Sequence, residues 1–173
     1  MAKFLFAIFL LPLSLLSQDE FPTAWLGSWK GELEVFPENQ SLQQVEVSLE
    51  IKKTDIPGTY TWLTVYNSSE RRIEKEYLLR EIDASRGMFE IDEQDGIILP
   101  ATLFGNELWS FFSVQGIFLV SVYRFSAEFI EFEIPSALQA DEKQSGGQND
   151  SIPAVQSYPV RSLQKTRFRR VEE

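Results

Sequence analysis

Residues 45–52 alternate between apolar and polar side chains without interruption. The apolar positions are Val45, Val47, Leu49 and Ile51, and the residues between them are Glu46, Ser48, Glu50 and Lys52. Successive side chains of a β-strand point to opposite faces, so this pattern predicts a strand with one buried face and one face in water. A helix would need apolar residues at spacings of three and four, which this segment lacks.

The same period of two recurs along most of the chain. A first alternating run begins at Trp29, and further strand candidates cover residues 59–66, 72–82, 88–92, 97–104, 108–114, 117–125 and 128–134. Short turn-forming segments separate them, which leaves no room for crossover helices, so neighbouring strands are expected to pair antiparallel.

The last apolar and basic segment, residues 155–171, is expected to close the sheet by pairing with the first strand. Closure removes the exposed edges that an open sheet must otherwise protect. We therefore predict an all-β fold, an antiparallel up-and-down β-barrel of about 8–10 strands.

The chain begins like an exported protein. Lys3 is followed by an apolar stretch that ends near Ser17, and this stretch is shorter than the roughly 20 apolar residues of a membrane-spanning helix. We expect residues 1–17 to be a signal peptide cleaved near Ser17, with export to the periplasm or the extracellular space and no membrane anchor afterwards. Residues 18–173 then form a single domain, in which the polar, glycine-bearing segment at about 137–152 is expected to be a flexible loop.

Two residue types that carry much of protein chemistry are missing, because the chain has no His and no Cys. Without them there is no imidazole base, no thiolate nucleophile and none of the usual ligands of zinc, haem iron or iron–sulfur clusters. We therefore expect no cofactor and no metal site. A net charge of −10 also disfavours nucleic acid as a partner, because phosphate contacts need clustered Lys and Arg.

A short motif, Gly27-Ser28-Trp29, stands just before the first strand candidate. A Gly-x-Trp at this place, opening an antiparallel meander of this length, resembles the calycin superfamily of lipocalin-like barrels. The resemblance implies that Trp29 plugs one end of the barrel beneath a basic residue of the last strand, for which Arg167 and Arg169 are the matching positions. Two features depart from the lipocalin pattern: there are about ten strand candidates, and residues 37–42 contain no helical lid.

Aromatic residues are abundant, with 14 Phe, 5 Tyr and 4 Trp, and they concentrate in residues 108–112 and 117–125. Both faces of these two strand candidates are largely apolar, so one face is expected to line the barrel and the other to meet covering structure or a partner. We predict a ligand pocket lined by Trp109, Phe111, Val120 and Val122. The alternative is a barrel filled by its own side chains.

A second aromatic row, Tyr60, Trp62, Thr64 and Tyr66, occupies alternate positions of one strand. Tyr60 and Trp62 are expected to point inward and to line the ligand site, because the opposite face of the strand is less bulky. If the row were exposed instead, it would suit stacking on a sugar or on a partner surface.

The carboxylates give little support to catalysis, since most Glu residues alternate with apolar residues and are expected to face water. We therefore expect that the protein is not an enzyme, with a carboxylate hydrolase as a third reading, and that residues 92–96 form a solvated turn and not a Ca²⁺ site. The leading hypothesis is an exported lipocalin-like protein that binds a small apolar or amphipathic ligand. The alternative is a surface-recognition module that binds a carbohydrate or a protein partner through exposed aromatics.

Overall fold

The structure, a computed structural model, describes residues 21–38 and 41–172. The predicted signal peptide, residues 1–17, lies outside the described residues. The strands are β1 (Gly27–Pro37), β2 (Gln43–Lys53), β3 (Thr59–Asn67), β4 (Arg72–Asp83), β5 (Met88–Asp92), β6 (Ile98–Phe104), β7 (Glu107–Val114), β8 (Ile117–Phe125), β9 (Phe129–Leu138), β10 (Lys143–Asn149), β11 (Ile152–Ser157) and β12 (Ser162–Arg170). Three short 3-10 helices cover Thr23–Trp25, Ala84–Arg86 and Gln139–Asp141. None of the helices in this part of the chain is long and apolar enough to cross a membrane.

Ten of these strands form one closed antiparallel barrel in the order β1-β12-β9-β8-β7-β6-β5-β4-β3-β2. The predicted all-β up-and-down barrel is confirmed, and its ten strands match the upper end of the predicted range of 8–10. The last strand closes the barrel as predicted, because β12 pairs with β1 from Trp29 opposite Arg170 to Pro37 opposite Ser162.

The segment expected to be a flexible loop at about 137–152 has regular structure instead. It contains the end of β9, a 3-10 helix and β10, which pairs with β11 as a separate two-stranded sheet. Sequence reasoning missed this hairpin because β10 consists of polar residues and glycines and therefore shows no apolar alternation. Cross-strand pairs such as Gln144 with Gln156 form it from backbone hydrogen bonds, and nearly all its side chains are exposed.

The end of the barrel where β1 begins is filled by aromatic side chains, and we call it the plugged end. The helix Thr23–Trp25 brings Trp25 into it, where the Trp25 carbonyl accepts a 2.9 Å hydrogen bond from Trp29 Nε1. The Trp25 ring lies 5.9 Å from that of Trp62 and 5.4 Å from that of Phe125. These buried rings make the plugged end the packed core of the protein.

The basic residue over Trp29 is Arg170, not Arg167 or Arg169 as the resemblance implied. Its guanidinium carbon lies 4.1 Å from the centre of the Trp29 ring, and its two terminal nitrogens donate to the carbonyls of Leu26 and Ala24 at 2.7 and 3.1 Å. Arg170 is paired with Trp29 in the β1–β12 ladder, so both belong to the same face of the sheet.

The two arginines that the resemblance favoured have other neighbours. The guanidinium carbon of Arg167 lies 4.5 Å from the centre of the Phe129 ring, and this arginine forms an ion pair with Glu131. Arg169 pairs with Lys30 and Phe129 on the outer face. Side chains alternate between the faces of a strand, which sends both of these arginines to the face opposite Arg170.

Candidate functional site

The predicted pocket residues of β7 and β8 lie on the outside of the barrel. Leu108 and Ser110 are 2% and 4% exposed and face the interior. Because side chains alternate along a strand, Trp109 and Phe111 point outward. Phe111 is accordingly 66% exposed, and Trp109 donates from Nε1 to the Glu107 carboxylate at 2.9 Å.

Val120 and Val122 share that outer face, because they pair with Phe111 and Trp109. The prediction that Trp109, Phe111, Val120 and Val122 line the interior is therefore wrong. Both faces of β7 and β8 are largely apolar, so their hydrophobic pattern does not identify the inner one.

Trp109, Phe111, Phe118 and Val120 form an uncharged area on the outer surface, which we call the outer aromatic patch, whereas Val122 on the same face is only 3% exposed. The rings of Phe111 and Phe118 are stacked with their centres 5.9 Å apart, and Tyr158 meets Phe118 edge-on at 5.1 Å. The guanidinium of Arg124 borders the patch, 5.7 Å above the ring of Trp109 and paired with Glu107 and Glu133.

Tyr60 and Trp62 both face the interior and are buried. Trp62 packs against Trp25 and meets the ring of Tyr123 edge-on at 5.1 Å. Tyr60 donates its hydroxyl to Glu81 at 3.1 Å near the plugged end. Both residues thus belong to the packed core, and their predicted contact with a ligand stays a prediction.

Inward-facing side chains are partly buried at both ends of the barrel. At the plugged end these include Leu103 and Phe125, and we call the opposite end the open end. At the open end the partly buried inward residues include Val35, Val45, Tyr66, Tyr77, Leu99 and Ile134. We call the partly accessible inward-facing surface that they form, together with Leu119 of β8, the inner cup. Its walls are mostly aliphatic, which suits the apolar part of a small molecule.

Three tyrosines, Tyr66, Tyr77 and Tyr123, point inward from β3, β4 and β8. Tyr77 stands opposite Trp62 in the β3–β4 ladder, Tyr66 lies further along β3, and the Tyr123 ring lies 4.6 Å from that of Phe132. Burial raises the pKa of all three phenols, and the Glu93 carboxylate raises the pKa of Tyr77 further. They therefore stay protonated at neutral pH and can donate hydrogen bonds.

Thr166 of β12 adds a fourth hydroxyl on the inner side of the sheet, opposite Phe132. Thr166 is 7% exposed, and its Oγ1 is buried without a hydrogen-bond partner among the residues that the structure describes. Such unsatisfied groups are rare in folded proteins because each one loses its hydrogen bonds to water. The Thr166 hydroxyl has room at this position because Gly31 has no side chain. A Cβ at Gly31 would lie 2.7 Å from the Thr166 Oγ1 atom.

Tyr77, Tyr123 and Thr166 were not found from the sequence. The sequence of β8 did contain a signal for Tyr123. Neighbouring residues of a strand point to opposite faces, so if Val122 points outward, Tyr123 points inward. Thr166 had a similar signal, since it lies between Lys165 and Arg167 and in phase with Phe168, but a threonine was not counted as a core position.

The carboxylates show no arrangement for metal binding within residues 21–38 and 41–172, where no group of three or more potential ligands was found. Asp92 forms a 2.5 Å ion pair with Arg80 and accepts a 2.8 Å hydrogen bond from the backbone of Gln94, as in a tight turn. A groove of about 410 Å³ beside β1, β12 and β9 is lined by the outward-facing Glu32, Glu34, Glu131, Glu133, Lys165 and Arg167 and by the inward-facing Phe132 and Thr166. Two ion pairs cross it, Lys165 with Glu34 and Arg167 with Glu131.

No protein-family model matches this chain. No curated protein matches it in sequence.

Two solved structures are similar to the barrel. The S-type phycobiliprotein lyase from Guillardia theta aligns with a TM-score of 0.61 and 8% identity, over 87% of this chain and 90% of that one. A protein of unknown function from the DUF3598 family of Nostoc punctiforme aligns with a TM-score of 0.58 and 14% identity, over 86% of this chain. This chain spans about half the length of the Nostoc protein, 48%.

These likenesses show a shared fold. They also correct one expectation, that the protein is not an enzyme. A barrel of the same fold is a lyase in Guillardia theta, so the absence of His and Cys does not support a firm exclusion of catalysis.

Proposed function

We propose that this protein binds a small amphipathic molecule in the inner cup, at the open end of the barrel. The observation that carries the proposal is the set of inward-facing apolar side chains at the open end that stay partly accessible. Trp29, Trp62 and Phe168 are completely enclosed, whereas Val45 and Leu99 face inward but stay partly accessible.

Chemistry and architecture both support a ligand at this place. A wider barrel encloses more space than an eight-stranded one, which side chains just fill, and this barrel has ten strands. Aliphatic walls with a few hydroxyl groups at the base are typical of sites for small amphipathic molecules. The lipocalin-like assignment through Gly27 and Trp29, and export after cleavage near Ser17, are further parts of the proposal.

The proposal is tested by filling the cup. N-phenyl-1-naphthylamine is an uncharged probe whose fluorescence rises in apolar surroundings, and we expect the wild-type protein to bind it. Leu119→Trp should weaken this binding about tenfold or more, equivalent to about 1.4 kcal/mol, because the larger side chain points into the cup.

Val120→Trp is the matched control, since it places the same side chain one residue away on the outer face. It should leave the affinity unchanged, and thermal unfolding should show that both variants are folded. A wild-type protein that does not bind the probe, or equal affinities of the two variants, would contradict the proposal.

A second candidate function is carbohydrate recognition by the outer aromatic patch. It is favoured by the exposure of Phe111, whose ring stands in an uncharged area beside Trp109 and Phe118. Aromatic faces of this kind can stack on sugar rings. In gel electrophoresis with a soluble neutral polysaccharide in the matrix, we expect retardation of the wild type and its loss in Phe111→Ser. Phe36→Ser, at an exposed Phe on β1, is the control and should be retarded like the wild type. Equal mobility with and without polysaccharide would count against this function.

A further inference from the structure

The β10–β11 hairpin, residues 143–157, forms a small sheet of its own beside the barrel, and we call it the arm. Every residue of β11 is exposed, and in β10 all residues except Gly146 are exposed. A two-stranded hairpin without a packed face is only marginally stable in water, because its backbone hydrogen bonds barely offset the conformational entropy that ordering costs. The arm therefore gains stability when one of its faces is covered.

The base of the arm is held beside the outer aromatic patch. The Tyr158 hydroxyl donates to the Glu142 carboxylate at 2.7 Å, and Arg161 pairs with Asp141 at 2.7 Å. These bonds fix the place where the arm leaves the barrel. The ring of Tyr158 meets that of Phe118, which belongs to the patch. The arm and the patch are thus neighbours on one side of the molecule.

Both surfaces come from stretches of sequence with almost no charge, although the chain as a whole is strongly acidic. In residues 96–123, which contain β6, β7 and most of β8, the one charged residue is Glu107. In residues 144–160, which contain most of the arm, it is Asp150. Two copies with a net charge of −10 each repel one another, and a contact between uncharged surfaces keeps their acidic residues apart.

We propose that a second copy of this chain covers these surfaces, in a reciprocal dimer in which the arm of each copy packs on the outer aromatic patch of the other. Val155 of the arm is 48% exposed and Phe111 of the patch is 66% exposed, so both offer apolar surface. Because the arm and the patch are adjacent, one two-fold axis forms both contacts and closes the assembly. The dimer is independent of the inner cup, whose residues face the inside of the barrel.

The size of the arm sets the expected strength of the dimer. Its strands have seven and six residues, so the arm is about 20 Å long and about 10 Å wide. It covers about 200 Å² of a patch, and two reciprocal contacts bury about 800 Å² when both partners are counted. Interfaces of this size are weak and reversible, so we expect a dimer that dissociates on dilution in the micromolar range.

Sedimentation velocity at protein concentrations from about 2 to about 200 µM tests the inference. We expect the wild type to change from monomer to dimer over this range. Phe111→Lys and Val155→Glu should each raise the dissociation constant about tenfold or more, because each places an unpaired charge in the contact. A mixture of the two variants should associate again, since the mixed dimer has one unaltered contact and one in which the new lysine faces the new glutamate.

Ile56→Lys and Ile56→Glu are the matched controls. Ile56 is 64% exposed, much like Phe111, but it lies in the β2–β3 turn at the plugged end. Both control variants should dimerise like the wild type. Thermal unfolding should show that all four variants are folded, as expected for substitutions of exposed side chains.

Three results would overturn the inference. The first is a wild-type protein that stays monomeric at the highest concentration; retardation of that monomer by polysaccharide would show that a sugar covers the patch instead. The second is a dimer that Phe111→Lys dissociates and Val155→Glu does not, because the arm then takes no part. The third is a mixture of the two variants that stays monomeric. Binding of N-phenyl-1-naphthylamine to the inner cup should be the same in all variants, so it tests the proposed function separately.

Discussion

Leu49→Glu is expected to lower the free energy of unfolding by about 4 kcal/mol or more, because it places a carboxylate inside the barrel without a partner. Leu49 is 1% exposed and stands between Trp29 and Thr64 in the interior. A loss of this size is a large part of the roughly 5–15 kcal/mol that stabilises a typical domain. Urea unfolding followed by Trp fluorescence measures it.

The loss should also depend on pH in a defined direction. Burial raises the pKa of the new carboxyl in the folded state above its unfolded value of about 4.3. Folding then favours the protonated form, so the destabilisation is largest above the folded-state pKa and decreases as the pH falls from that pKa towards about 4.3.

Ser48→Glu is the control for this substitution. Ser48 lies one residue earlier on the outer face and is paired with Lys30, so a new carboxylate there stays hydrated near an opposite charge. We expect a change within about 0.5 kcal/mol. Similar losses in the two variants would mean that β2 does not alternate between core and solvent.

Trp29→Ala is the second substitution with a large expected effect, a loss of about 3–5 kcal/mol in the free energy of unfolding. Trp29 has no exposed surface, and its removal leaves a cavity beside Trp25. It also removes the hydrogen bond to the Trp25 carbonyl and the ring beneath Arg170, and these losses add to that of apolar burial.

Trp109→Ala is the control for Trp29→Ala. It tests whether the expected loss of stability arises from the buried position of Trp29, and not from the removal of any indole. Trp109 lies on the outer face, with a hydrogen bond to Glu107 and Arg124 above its ring. We expect a loss of about 1 kcal/mol, typical of a partly exposed side chain with one hydrogen bond and one cation–π contact. If Trp109→Ala destabilised the protein as much as Trp29→Ala, the assignment of the inner and outer faces of β7 would be wrong.

The strands were predictable where one face is apolar and the other is charged. In β2 the valine and leucine positions are separated by glutamates, and burial of the apolar set permits one orientation. Closure was also predictable, since the chain ends in a strand-like segment and a barrel protects its edges. Neither inference needed any knowledge of which residues pair.

The candidate site was less predictable. In β7 and β8 both faces are apolar, so the hydrophobic pattern does not show which face is inside. If the strands were shifted by one residue, Trp109 would replace Leu108 and Val122 would replace Tyr123 as the inward-facing residues. The same one-residue difference separates Arg170, over Trp29, from Arg169 on the outer face. The β10–β11 hairpin was missed because its polar residues pair through backbone groups, which every residue other than proline supplies.

The sequence by itself determined that this protein is an antiparallel barrel, because alternation in one strand is a local property that any single stretch of chain displays. The tertiary structure alone decided which face of the aromatic strands is inside and which residues of distant strands come to lie side by side there. Those outcomes depend on register between strands that are distant in the chain, as when Thr166 of β12 comes to lie beside Gly31 of β1. Register is set by the packing of all the strands together, and no single strand contains that information.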